Sequence, residues 1–247
     1  MAGFTLLENA EDSLRHAITH IKDEGETTPG DWKRVISDLA HVVELLVKER
    51  LRCEHPAFVY AQVDKYLSPD AFTVGAEQAI KRLQKISAVT ISQEDLKAIE
   101  TTRKKRNEIE HFEFSVDSKT YKLIVGQILG VILRFGEEHL DLEWRSICEE
   151  GGSKLLGVQE YYKQQIVEAE KLIDESDLQV IACAECGNET HSVEQERCLV
   201  CGHKERPEQC ITCGDLFLPS EFDYEDPVLC QSCEFNEGWA NHHFERV

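Results

Sequence analysis

Apolar positions recur with helical spacing through the first 140 residues and lose that spacing in the last 70. Leu6, Leu7, Leu14, Ile18 and Ile21 fall roughly on one face of a helix over 4–22. Gly25 and the group Thr27-Thr28-Pro29-Gly30 interrupt the chain, and Asp31 is placed to cap a second helix running to about Arg52. Trp32, Val35, Ile36, Leu39, Val42, Val43, Leu46 and Val47 then keep the helical period. Pro56 and Pro69, with little periodicity between them, predict a loop over 54–72 with room for one short turn. Ala76, Ala79, Ile80 and Leu83 predict a third helix over 73–86. Ser92-Gln93-Glu94-Asp95 marks the next start, with Ser at the cap and an acid three residues on. Leu96, Ile99 and Ile109 continue that helix's buried stripe. A helix over about 119–139 is apolar on most sides: Tyr121, Leu123, Ile124, Val125, Ile128, Leu129, Val131, Ile132, Leu133 and Phe135. Such a helix belongs in a core or a subunit interface. Its Gly126 and Gly130, four apart, read as close helix packing.

Glu149-Glu150-Gly151-Gly152-Ser153 reads as a linker. A charged amphipathic helix over 155–175 follows, with Leu156, Tyr161, Tyr162, Ile166, Ala169 and Leu172 as its packing face. After Ser176 the pattern shortens to β-type runs, Gln179-Val180-Ile181 and Val228-Leu229, each leading into a cysteine pair. The predicted fold class is α+β multidomain. A mainly α-helical bundle occupies 1–140, a linker and bridging helix 141–178, and a small region with short β-hairpins 179–247.

Charge separates the same two halves. Residues 1–140 carry 19 Lys+Arg against 23 Asp+Glu, a balance of −4; residues 141–247 carry 8 against 24, a balance of −16. An acidic second half repels a phosphate backbone, so any nucleic-acid contact is expected in the first. No stretch approaches the ~18 consecutive apolar residues of a membrane span. The N-terminal residues lack the basic and apolar regions of a secretory signal, and a cytoplasmic chain is expected.

Eight of the ten cysteines form four C-x-x-C pairs: Cys183/Cys186, Cys198/Cys201, Cys210/Cys213 and Cys230/Cys233. Disulfides are not expected in a reducing compartment. Four thiolates suit a tetrahedral zinc ion, and C-x-x-C lets two sulfurs share one metal through a tight turn. Gly187, Gly202 and Gly214 directly follow the second cysteine of three pairs, where such a turn favours positive φ. Two structural zinc ions per chain are expected, in tandem ribbons. The order of the pairs favours sequential pairing over a cross-brace. A site closed by four cysteines has no open position, so no catalysis is assigned to it. His191 and His203 are read as polar surface residues. The acidity of this half makes a protein partner a better match for it than nucleic acid.

The remaining candidate chemistry is the run Arg103-Lys104-Lys105-Arg106-Asn107-Glu108-Ile109-Glu110-His111. Arg followed by His five to seven positions later occurs six times in the chain, so that spacing alone means little. The Asn after Arg106, the basic run before it and its place in a helical domain set Arg106/His111 apart. Asn107 and His111 are four apart and share a helix face. A histidine titrates near neutrality and can move protons; an arginine fork matches phosphate oxygens.

Arg106-Asn107-x-x-x-His111 resembles the signature of the HEPN superfamily of endoribonucleases, a resemblance covering roughly residues 1–140. It implies cleavage of single-stranded RNA without a catalytic cofactor, in a toxin or defence role. Arg106 and His111 would be catalytic, Asn107 would orient them, and Arg103, Lys104 and Lys105 would bind RNA. One Arg and one His make a thin site. The resemblance implies a homodimer with helix 92–112 at its seam, which supplies two of each. Glu113 stands where one toxin branch carries a modifiable tyrosine, so regulation through that position is not carried over. Some superfamily members are inactive, so a non-catalytic scaffold or RNA- or nucleotide-sensing module is the alternative. A zinc-ribbon nucleic-acid binder is a third reading, opposed by the −16 balance.

Overall fold

The computed structural model describes residues 3–22, 26–66, 68–87, 89–115, 117–150, 154–222 and 228–234, without the side chains of Arg145, Glu149, Glu150, Leu155 and Leu156. Gly25, Gly151-Gly152-Ser153 and the Leu156 side chain, all singled out from the sequence, lie outside that description. The chain is α+β: seven α-helices, then five short antiparallel strands, among the described residues. It divides into two compact units, 1–163 and 164–247.

In the first unit, α1 (Leu6–His20) opens with a reciprocal cap. Thr5 Oγ1 accepts from Glu8 N (3.2 Å), and Thr5 N donates to the Glu8 carboxylate (2.7 Å). α2 (Pro29–Glu54) uses the same device. Thr28, not Asp31, is its cap: Thr28 Oγ1 accepts from Asp31 N, and the Asp31 carboxylate takes Thr28 N (3.0 Å). Asp31 is thus the acidic partner of the capping box, and Pro29 fits the first turn, where no N–H is needed.

α2 is the hub. It packs on α1, α3 (Ala76–Ile86), α4 (Gln93–His111) and α5 (Ser118–Leu140). Trp32, Val35, Ile36, Leu39, Val42, Leu46 and Leu51 are buried along it. The apolar α5 is a core helix: Leu123, Val125, Ile128, Leu129 and Ile132 are wholly covered within the chain. Gly126 shows why its close-packing motif is needed. A Cβ there would stand 2.6 Å from Tyr162 Cβ and 2.7 Å from the Val158 carbonyl of α7 (Lys154–Ser176).

Two segments are more ordered than the sequence pattern indicated. Residues 54–72 hold two 3-10 turns, Pro56–Val59 and Val63–Lys65. The Arg82 guanidinium donates to the carbonyls of Phe58, Tyr60 and Ala61, replacing the missing periodic contacts. Glu149 and Glu150, read as the start of a linker, are the end of α6 (Trp144–Glu150), whose Trp144, Ile147 and Cys148 enter the core. Among the described residues no helix is long and apolar enough to cross a membrane.

In the second unit β1 (Val180–Ile181), β2 (His191–Ser192) and β3 (Arg197–Cys198) form one antiparallel sheet. β4 (Glu208–Gln209) and β5 (Leu216–Phe217) form another. Val228-Leu229 is not a strand. The Val228 carbonyl takes Ile211 N (3.1 Å), and among the described residues it joins no strand ladder.

Candidate functional site

The strands exist to aim sulfur. Each short hairpin ends at or beside a C-x-x-C turn, and the turn is closed by its glycine. Gly187 N donates to Cys183 O, Gly202 N to Cys198 O and Gly214 N to Cys210 O, at 2.9–3.0 Å. All three glycines have φ between 74° and 82°, a left-handed backbone that a side chain would strain.

The cysteines gather in chain order. Cys183, Cys186, Cys198 and Cys201 form one buried group, and Cys210, Cys213, Cys230 and Cys233 form a second, more open one. Within each group the sulfurs lie within 4.8 Å of one another. Cys183–Cys201 is 3.6 Å, Cys186–Cys198 3.7 Å and Cys213–Cys230 3.6 Å. A tetrahedral metal with sulfur bonds of about 2.3 Å sets its ligands about 3.8 Å apart. Both groups therefore fit such an ion, and none of the ten cysteines is in a disulfide.

Donors around the sulfurs favour the thiolate form. Cys201 N and Thr190 Oγ1 reach Cys198 Sγ at 3.4 Å, and Asn188 Nδ2 reaches Cys186 Sγ at 3.3 Å. Hydrogen bonds with Cys183, Cys186 and Cys201 push the Cys198 thiol far down, while hydrogen bonds with Cys186, Cys198 and Cys201 and then burial push Cys183 up. Backbone amides of Cys213 and Cys230 bring Cys210 down to about 6. Four thiolates this close together need a cation at the centre.

His191 corrects the surface reading. It is wholly buried, with Nε2 on the Glu205 carbonyl at 2.9 Å. Half-buried His203 joins the same residue through its carboxylate at 2.9 Å. The two histidines tie the first cysteine group to the following loop.

In the first unit, Arg106, Asn107 and His111 lie on the last turns of α4, capped at its start by Ser92 Oγ on Asp95 N (3.0 Å). Arg103, Arg106 and Asn107 line a cleft of about 480 Å³. Its other walls include His41 and Glu44 of α2 and Glu77, Gln78 and Lys81 of α3. Lys104, Lys105 and His111 are not among the residues lining it. His111 is exposed at the helix end, beside Phe112, which is 73% exposed.

Each cation of the basic run holds a glutamate. Arg103 pairs with Glu77 (2.8 Å), Lys104 with Glu100 (3.4 Å), Lys105 with Glu108 (3.0 Å) and Arg106 with Glu110 (2.9 Å). Apart from Lys105–Glu108, which is partly buried, these pairs are exposed, so each is worth little and exchanges readily for another anion. His41, Glu44 and Lys81 carry no sequence signal linking them to Arg106; only the packing of α2, α3 and α4 brings them to one cleft.

No family model matches the chain, and no curated protein or solved structure matches it either. The resemblance in residues 1–140 therefore rests on the residues alone.

Proposed function

We propose that the first unit is a metal-independent endoribonuclease of HEPN type acting on single-stranded RNA, and that the second holds two structural zinc ions. The observation that carries the first reading is that Arg106 and Asn107 stand in the wall of a cleft, with His111 exposed one turn further along the same helix. A scissile phosphate displaces Glu110 from Arg106, and the guanidinium fork takes two of its oxygens. One imidazole takes the proton of the 2′-OH as its oxygen attacks phosphorus. The P–O5′ bond breaks, and a second imidazole gives the leaving oxygen its proton. The products carry 2′,3′-cyclic phosphate and 5′-OH ends. A homodimer through the helical unit supplies the second imidazole as the partner copy of His111. The interface contains the exposed end of α4 and Phe112; the apolar faces of α5 do not contribute, because they are covered within the chain.

Zinc is assigned from the donor set. Four thiolates at tetrahedral spacing with no open position match its structural sites. The acidic second unit then serves regulation or binding of a protein partner, and a toxin or defence role fits an RNA-cleaving dimer of this kind.

The alternative is a non-catalytic scaffold or RNA- or nucleotide-sensing module. The glutamate held by every cation of the basic run favours it. Purified protein incubated with total RNA in EDTA separates the two readings. Cleavage with 2′,3′-cyclic phosphate ends is the expected result; RNA binding without cleavage under any condition selects the scaffold. His41→Ala adds detail: lost activity in that variant would place the second imidazole in the cleft of the same chain.

A further inference from the structure

Away from both sites, α1 carries a pair of facing histidines. His16 and His20 are four apart on one helix face, and their Nε2 atoms stand 3.2 Å from each other. Each ring's other nitrogen is held by a carboxylate. His16 Nδ1 meets Asp38 Oδ2 at 2.7 Å, and His20 Nδ1 meets Asp31 Oδ1 at 3.2 Å. In a neutral ring whose Nδ1–H is donated to a carboxylate, Nε2 carries the lone pair. Two lone pairs at 3.2 Å repel unless a cation lies between or beside them.

The geometry points to a third metal site, for a divalent transition ion of zinc-like softness, ligated by His16 Nε2 and His20 Nε2. The ring planes stand at 82° with centroids 4.7 Å apart, so the rings meet at an angle rather than nose to nose. An ion about 2.0–2.1 Å from both nitrogens would subtend roughly 100°, near the tetrahedral value. Histidines four apart on a helix are a recurrent pair of zinc ligands. A carboxylate on the remote nitrogen of each ring sets the ring's orientation, an arrangement that accompanies metal-bound histidine.

The surroundings agree in charge and access. Asp31 also accepts from Lys22 Nζ (2.8 Å), Thr28 N (3.0 Å) and Thr28 Oγ1 (2.6 Å), so its position is set by the start of α2. Lys22 first, then Thr28, hold its carboxyl well below the usual carboxylate range. Two carboxylates and one ammonium leave a net negative charge for a divalent ion to offset. The His16 side chain is 54% exposed and that of His20 20%, which leaves an open side where water completes the coordination. The site differs from the cysteine groups in ligand type and exposure and does not depend on the ribonuclease reading.

The test is calorimetric titration of Zn2+ into the full chain already holding metal in both cysteine groups. One further equivalent is expected. His16→Ala and His20→Ala should each abolish it while leaving the cysteine-bound metal in place. Asp38→Asn should weaken it by about 10–100-fold. His139→Ala, elsewhere on α5, should leave it unchanged. Histidine ring nitrogen spectra of the unmodified chain give a second readout, in which Nε2 of both rings shifts on zinc addition. No binding beyond the cysteine sites at millimolar Zn2+, binding that persists in the His16→Ala/His20→Ala double variant, or unshifted Nε2 signals would each overturn the proposal. A proton shared between the rings would then account for their approach.

Discussion

The two units set candidate chemistry in place by opposite means. In the second, chemistry makes the structure: ten strand residues in five two-residue strands could not hold a fold, and the cysteine groups supply the cohesion. In the first, structure makes the chemistry. A core of helical stripes exists without regard to Arg106, and the cleft is where α2, α3 and α4 meet beside it. A cysteine group should therefore be inseparable from its unit's folding, while the Arg106 constellation should be removable without loss of fold.

Metal removal is the largest expected effect. A structural zinc contributes about 10–16 kcal/mol in zinc-finger peptides, so strong chelation should unfold the second unit and spare the helices. Circular dichroism would retain most helical signal while strand and near-ultraviolet signals of the ribbons collapse. A metal assay giving no zinc, with eight cysteines in disulfides, would remove the basis of this half of the comparison.

Next in size is loss of RNA cleavage in His111→Ala and Arg106→Ala, expected at about 10²–10⁴-fold each. Unfolding midpoints should stay within about 0.5 kcal/mol of the parent, because the side chains lie at the surface of α4. Asn107→Ala should lose less, since it orients rather than transfers protons. His139→Ala tests whether Arg-to-His spacing without the Asn matters; it should cleave normally.

Smaller effects probe the helical scaffold itself. Gly126→Val should destabilise by about 1–3 kcal/mol in denaturant titration, because the new Cβ overlaps Tyr162 and the Val158 carbonyl. Gly157→Ala, where a Cβ meets nothing within 4 Å, should instead stabilise by up to about 1 kcal/mol. Thr28→Ala should cost about 0.5–2 kcal/mol through the lost cap of α2.

What the sequence made legible follows the same division. Ligand type and spacing identified all eight cysteines, their sequential grouping and the three left-handed glycines, because a C-x-x-C turn is set by residues adjacent in the chain. The helices were legible where their stripes were long, as in α2 and α5. Thr28 was missed as a cap because Asp31, three residues later, is an equally good cap by type. α6 was missed because its seven residues are too few to show a period. The order in 54–72 comes from Arg82, more than twenty residues away. His191 looked like surface because polar residues usually are; here a backbone carbonyl holds it inside. His41 and Lys81 join Arg106 only through tertiary packing, which local patterns do not encode.

The proportion of dimer bears on the ribonuclease reading, since two His111 side chains are wanted at one phosphate. Light scattering of the full chain at micromolar concentration should give twice the 28.2 kDa chain mass. A monomer would move the second imidazole to His41.

The most direct measurement is cleavage of single-stranded RNA in EDTA by the parent chain beside Arg106→Ala and His111→Ala, with product ends identified. The account predicts 2′,3′-cyclic phosphate and 5′-OH ends from the parent and none from either variant, both variants remaining folded. Equal cleavage by all three, or none by the parent at any salt concentration, would contradict it.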